Sequence, residues 1–171
     1  MELYEELLKR QIAQDNLYSL SCSINGKSIE LQVPSTKRLV DILREDLGLT
    51  GTKISCEMGR CGACMILLNG ENVNSCLVMA FQVEGAIVET IESLAGDELH
   101  PIQAAFLCEG SFQCGYCTPG MVMSVKSVMD RNPSPSREEV LEGLCGNLCH
   151  CAGYSSIVRA VDSLIGNESN S

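Results

Sequence analysis

Tryptophan is missing from this 171-residue chain, and aromatic residues make up only 4% of it. The core must therefore be built from aliphatic side chains and methionine, whose flexible thioether fills irregular gaps. No apolar run approaches the ~20 residues needed to cross a bilayer, so no membrane-spanning helix is expected. The opening MELYEELLKRQ mixes acid with base and has neither an apolar signal core nor a twin-arginine pair, so a cytoplasmic location is expected. Basic residues are scarce: 12 Lys and Arg stand against 22 Asp and Glu, for a formal charge of −10. Phosphate recognition needs a basic face, so nucleic acid is not an expected partner. Also missing are a glycine-rich phosphate loop, a nucleophile elbow and a metal-hydrolase helix motif. No residue is expected to be catalytic.

Cysteine, by contrast, is abundant. There are eleven, an odd number, and cytoplasmic thiols stay reduced, so metal ligation is a better expectation than a disulfide framework.

The hydropathy pattern divides the chain into an N-terminal helical extension (1–18), a sheet domain with one helix (19–93), an all-helical domain (94–166) and a loose polar tail (167–171). Leu3, Leu7, Leu8 and Ile12 share one side of the expected first helix. Alternating residues on either side of Asn25-Gly26 predict a hairpin. A helix follows, with Ser35 or Thr36 as its cap and Gly48 as its end. After a Gly- and Cys-rich loop (51–64) come a strand Met65–Leu68, an Asn69-Gly70 turn and a further strand pair reaching about Ile91. Pro101 then starts one helix, Thr118 caps a second that Asn132-Pro133 stops, Ser136 and Glu139 form a capping box for a third, and Gly166 closes a fourth. The fold class expected is α+β.

Eight cysteines fall into two sets. Cys56, Cys61, Cys64 and Cys76 have the C-x4-C-x2-C…C spacing of plant-type [2Fe-2S] ferredoxins. Three thiolates reach the centre from one tight loop and the fourth closes it from the next sheet segment. Gly59 and Gly62 let the loop curl so that its amides face the sulfurs. A four-cysteine zinc site is the alternative, but its ligand arms are usually paired short motifs. Cys114, Cys117, Cys149 and Cys151 form the second set. A C-x-C pair is unusual for structural zinc, and each pair here precedes an expected helix, whose N-terminus suits a dianionic cluster. Cys22, Cys108 and Cys145 remain and are expected to be buried as small hydrophobes. Cys145, four residues before Cys149, is the one candidate stand-in ligand.

The segments CEMGRCGACMILLNG (56–70), QCGYCTPGM (113–121) and GNLCHCAGY (146–154) resemble the iron–sulfur subunit of molybdenum hydroxylases. That family includes xanthine dehydrogenase, aldehyde oxidoreductase, nicotinate dehydrogenase and aerobic carbon monoxide dehydrogenase. The small subunit of three-subunit bacterial xanthine dehydrogenases is the most similar member. The resemblance runs from about Leu20 to Ile165. It implies a β-grasp, plant-type ferredoxin-like domain followed by a four-helix [2Fe-2S] domain. It also implies a molybdopterin-binding large subunit and an FAD-binding medium subunit as partners. Electrons would run from molybdenum through the helical-domain cluster and the ferredoxin-domain cluster to FAD, during hydroxylation of a purine such as xanthine or hypoxanthine. By position in the motifs, Gln113 and Cys151 would hydrogen-bond the pterin.

Two positions depart from the family pattern: His150 stands where Arg is usual and Ala152 where Thr is usual. A titrating His150 would couple the potential of the neighbouring centre to pH, whereas a neutral one would be a simple replacement. His100 is expected only to start a helix. The same electron-transfer role in an aldehyde, nicotinate or carbon monoxide dehydrogenase is the alternative, as is a freestanding ferredoxin-type carrier.

Overall fold

The structure, a computed structural model, describes residues 17–94 and 96–168. It opens with β1 (Leu17–Ile24) and β2 (Lys27–Pro34), paired antiparallel. Asn25 and Gly26 join them with φ of 51° and 76°, the left-handed pair that a two-residue hairpin turn demands. Leu17 and Tyr18 thus belong to a strand and not to the expected N-terminal helix; the rest of that expectation lies outside the described residues.

A short helix, α1 (Leu39–Asp41), runs directly into a π-helical turn (Ile42–Asp46). It buries Leu39, Ile42 and Leu43 in the sheet core and Val40 against Cys64 and Cys76, and Gly48 ends it at a φ of 69°. Neither Ser35 nor Thr36 caps it: the residue at its start is Arg38. The stretch before α1 is committed elsewhere, because the Ser35 and Lys37 carbonyls accept from the amides of Phe81 and Ala80.

β3 (Met65–Leu68) and β4 (Glu71–Asn74) form a second antiparallel hairpin around Asn69-Gly70. Two strands do follow the turn, β4 and then β5 (Ile87–Glu89), but they pair with β3 and not with each other. Two 3-10 turns (Ser75–Leu77 and Ala80–Val83) intervene, and β5 inserts between the hairpins, parallel to β1 and antiparallel to β3. The sheet is mixed, in the order β2-β1-β5-β3-β4.

Helices follow: α2 (Pro101–Cys108), α3 (Thr118–Arg131), α4 (Arg137–Gly143) and α5 (Ser155–Glu168). Ser136 and Glu139 make the expected reciprocal cap of α4. His100 caps α2, its Nδ1 accepting from the Ile102 amide, so it does start a helix. Thr118 caps nothing; Cys117 holds the position before α3, and the Thr118 hydroxyl has no partner among the described residues. α5 runs through Gly166 rather than stopping there, and so takes in the first two residues of the expected tail.

Two cores result. Leu20, Ile24, Leu39, Ile42 and Val88 pack on one face of the sheet, and Phe106, Val125, Ile157 and Val161 fill the helical half. Side chains alternate across a strand, so β3 serves both: Ile66 enters the first core and Leu67 the second. Each such fully buried side chain contributes roughly 1.5–3 kcal/mol. The shared strand thereby welds the halves at the point where the cysteine loops meet.

Candidate metal centres

The first cysteine set lies on a loop that turns back on itself. Glu57, Gly59 and Gly62 all take positive φ, at 57°, 71° and 69°. That curl aims the amides of Met58 and Arg60 at Cys56 Sγ, at 3.5 and 3.3 Å. Amide donation, from Met58 first, holds the Cys56 thiol down at about 7 in spite of burial. Cys64 and Cys76 lie deeper. The Ser75 hydroxyl donates to the Cys64 carbonyl at 2.7 Å and so presses the turn carrying Cys76 against Cys64. Burial pushes the Cys64 thiol up to about 12, outweighing the Cys76 amide that lowers it, and the Cys76 side chain adds to the rise.

The second set is assembled from two loops. Cys114 and Cys117 precede α3, and Cys149 and Cys151 precede α5. The Tyr116 amide lowers the Cys114 thiol first, and the contact with Cys114 raises that of Cys151. Burial works to raise Cys149, but amides from Ala152 and Cys151 outweigh it and the thiol is lowered. Cys117 is pushed up to about 12, by burial and then by Cys149. Tyr154, at a φ of 64°, accepts from the Cys149 amide at 2.8 Å and donates to the Asn147 carbonyl at 3.3 Å, which fixes the loop between them.

The sulfurs stand in pairs. Side-chain contacts join Cys56 to Cys61, Cys64 to Cys76, Cys114 to Cys151 and Cys117 to Cys149. Among the described residues, no three His, Cys, Asp or Glu side chains gather about one point as a single ion requires. Two pairs per set instead suit a binuclear centre, two thiolates to each iron. The amides directed at Cys56 and Cys149 supply the donors that such an anionic centre needs. The donor sets therefore fit two [2Fe-2S] clusters, which when bound supply reversible one-electron storage.

All four cysteines of the second set and Cys61 of the first line one cavity of about 130 Å³, with His150 beside them. The loops also touch directly: the Leu148 amide donates to the Cys61 carbonyl at 2.9 Å. Two glycines make that approach possible. A Cβ on Gly62 would lie 2.4 Å from Asn147 Nδ2, and one on Gly120 would lie 2.1 Å from the Gly62 carbonyl oxygen.

Gln113 adjoins Cys114, whose Sγ lies 3.5 Å from that of Cys151, and all three residues are exposed. Of the three cysteines outside the sets, Cys22 is buried as expected, but Cys108 and Cys145 are exposed, each at the C-terminal end of a short helix. Cys145 Sγ donates to the Leu141 carbonyl of its own helical turn. Sequence reasoning passed over Asn147, Tyr116 and Tyr154, whose roles lie in long-range or loop-closing hydrogen bonds.

Two cysteine quartets, one beside a mixed sheet and one ahead of two helices, are the donor sets that a two-centre iron–sulfur protein requires. Residues 22–86 match the 2Fe-2S iron-sulfur cluster binding domain family, and residues 90–162 match the [2Fe-2S] binding domain family. The chain is 49% identical over 138 residues to a probable xanthine dehydrogenase subunit of Bacillus subtilis (strain 168), covering 81% of this chain and 80% of that one. It is 46% identical to the nicotine 6-hydroxylase small subunit of Paenarthrobacter nicotinovorans, over 83% of this chain and 86% of that one. A solved chain of quinoline 2-oxidoreductase from Pseudomonas putida 86 superposes with a TM-score of 0.83 at 44% identity, covering 91% of this chain and 97% of its own. The chain belongs to the family of iron–sulfur small subunits of molybdenum hydroxylases, with a ferredoxin-like half and a helical half, each binding a [2Fe-2S] cluster.

Proposed function

We propose that this chain carries electrons from a molybdopterin site on a large subunit to FAD on a medium subunit, during hydroxylation of a purine such as xanthine or hypoxanthine. The direction is inward from the helical half. Cys151 and Gln113 lie together on an exposed face, where a pterin edge could meet a thiolate and an amide that both donates and accepts. The electrons would then pass to the ferredoxin-like half and leave for the flavin. The observation that carries this reading is the junction itself: Cys61 of the first set shares a cavity with all four cysteines of the second, and the Leu148 amide donates to the Cys61 carbonyl.

On this reading the ferredoxin-like half, proposed to span 19–93, is a β-grasp and the helical half, 94–166, a four-helix domain. The inserted parallel β5 and the order of α2 to α5 support both assignments. The preference for a purine rests on the likeness to the Bacillus subtilis protein, and the nicotine and quinoline enzymes make other N-heterocycles the second choice. Aldehydes or carbon monoxide would need the same small subunit, because the substrate is chosen elsewhere. A cytoplasmic location is consistent with eleven free thiols, and among the described residues no helix is long and apolar enough to cross a membrane.

The test is a gentle pull-down of the tagged chain from its native host, with iron, molybdenum and flavin analysis and then a substrate screen led by xanthine. About four irons per chain, with molybdenum and FAD on two larger polypeptides and xanthine turnover, is the expected result. Iron on a solitary chain would point to a freestanding carrier instead.

A further inference from the structure

We infer that Asn147 is a positioning residue for electron transfer between the two centres: its amide clamps the Cys56–Cys64 loop to the Cys149–Cys151 loop. The inference rests on the presence of two [2Fe-2S] clusters.

Asn147 is 2% exposed. Its Nδ2 donates to the Gly62 carbonyl at 3.1 Å, across 85 residues of chain and between two ligands of the first set. Its Oδ1 accepts from the Ser124 hydroxyl of α3 at 2.7 Å. Ser124 in turn accepts from Asn72 Nδ2 of β4 at 3.1 Å. One side chain therefore ties the first cysteine loop, the helix that follows Cys117 and the loop that leads to Cys149. The next residue, Leu148, makes the main-chain bond to Cys61.

A buried amide with both ends used is fixed in position, since releasing either end leaves an unpaired polar group in the interior. No hydrophobic side chain could do the same work, for it could not engage the Gly62 carbonyl. The bare backbone of Gly62 and Gly120 leaves room for nothing bulkier at this contact. Electron tunnelling decays steeply with separation, so the residue that fixes the distance between the loops sets the rate. The transfer moves a single electron from the Cys114 set to the Cys56 set, oxidising the former by one and reducing the latter by one. No atom changes place.

The experiment uses the full-length chain, isolated with its clusters and reduced with dithionite. Two nearby paramagnetic centres split each other's resonance at low temperature, and the splitting reports their separation and contact. In N147A, iron content and both cluster signals should persist while the splitting collapses. Complete iron, both signals and an unchanged splitting would overturn the inference. Should N147A lose iron, S124A decides, because it removes one partner and leaves the amide in place: narrowed splitting supports the clamp, and wild-type splitting sinks it. Fewer than two signals in the wild-type chain would instead remove the two-cluster reading beneath it.

Discussion

The hydroxyl of Tyr116 donates to the carbonyl of Ile54, joining the turn between Cys114 and Cys117 to the segment two residues ahead of Cys56. Sixty-two positions separate the pair in sequence. It is a third tie between the cluster loops, beside the Asn147–Gly62 and Leu148–Cys61 bonds, and Tyr116 lines the cavity there. Tyr116→Phe keeps the ring and removes only this bond. The expected loss is about 1 kcal/mol. That corresponds to a fall of about 2–4 °C in the thermal midpoint of a chain this size, read by calorimetry on the cluster-loaded protein. An unchanged midpoint would show the tie to be solvent-compensated.

The two ligand sets should be separable. Cys76→Ser removes a proposed ligand of the first set and Cys149→Ser a proposed ligand of the second. Each should lower the iron content from about four to about two per chain, with the loss of one characteristic resonance and retention of the other. Loss of both signals from either variant would show that the second centre depends on the first.

Glycine substitutions in two helices should have opposite signs. Alanine is the better helix former by about 1 kcal/mol, and nothing lies within 4 Å of a Cβ on Gly166 in α5. Gly166→Ala should therefore raise stability by a fraction of that. Gly120→Ala in α3 would drive its methyl to 2.1 Å from the Gly62 carbonyl oxygen. Overpacking costs of about 1–3 kcal/mol outweigh the propensity gain, so the variant should be destabilised. Denaturant titrations of both, side by side, check the signs.

His100 gives the fold a pH response. Its pKa lies below the usual 6.5, chiefly because it is partly buried and secondly because Lys126 is near; Asp130 opposes. Protonation would also remove the lone pair on Nδ1 that caps α2. A depressed histidine binds its proton less readily folded than unfolded, so stability falls as pH drops below 6.5 and levels off below the folded pKa. His100→Asn keeps a capping side chain and should flatten that slope. Thermal midpoints of both proteins between pH 5.5 and 7.5 are the measurement, and parallel slopes would refute the assignment.

The sequence was most legible where chemistry and covalent spacing act locally. Asn25-Gly26 and Asn69-Gly70 announce their turns because few other dipeptides hold two successive positive φ values. The eight cysteines stand out by interval, and side-chain contacts bring them together two by two. The capping box of Ser136 and Glu139 was equally plain. What escaped depends on residues far apart. The start of α1 is fixed at Arg38 by bonds from residues 80 and 81, which no local rule foresees. The exposure of Cys108 and Cys145 follows from which side of a helix end faces out, and a short helix carries too little periodicity to reveal that. Asn147 looked like one more polar loop residue until its carboxamide met Gly62.

The contact of Gly120 with Gly62 has a hereditary consequence. Because bare backbone meets bare backbone there, neither half can drift freely: a side chain gained on one surface must be answered by retreat of the other. The ferredoxin-like and helical halves are thus bound to descend as a matched pair. A chimera joining halves from two distant relatives should seat only where both ancestors kept this point of contact empty.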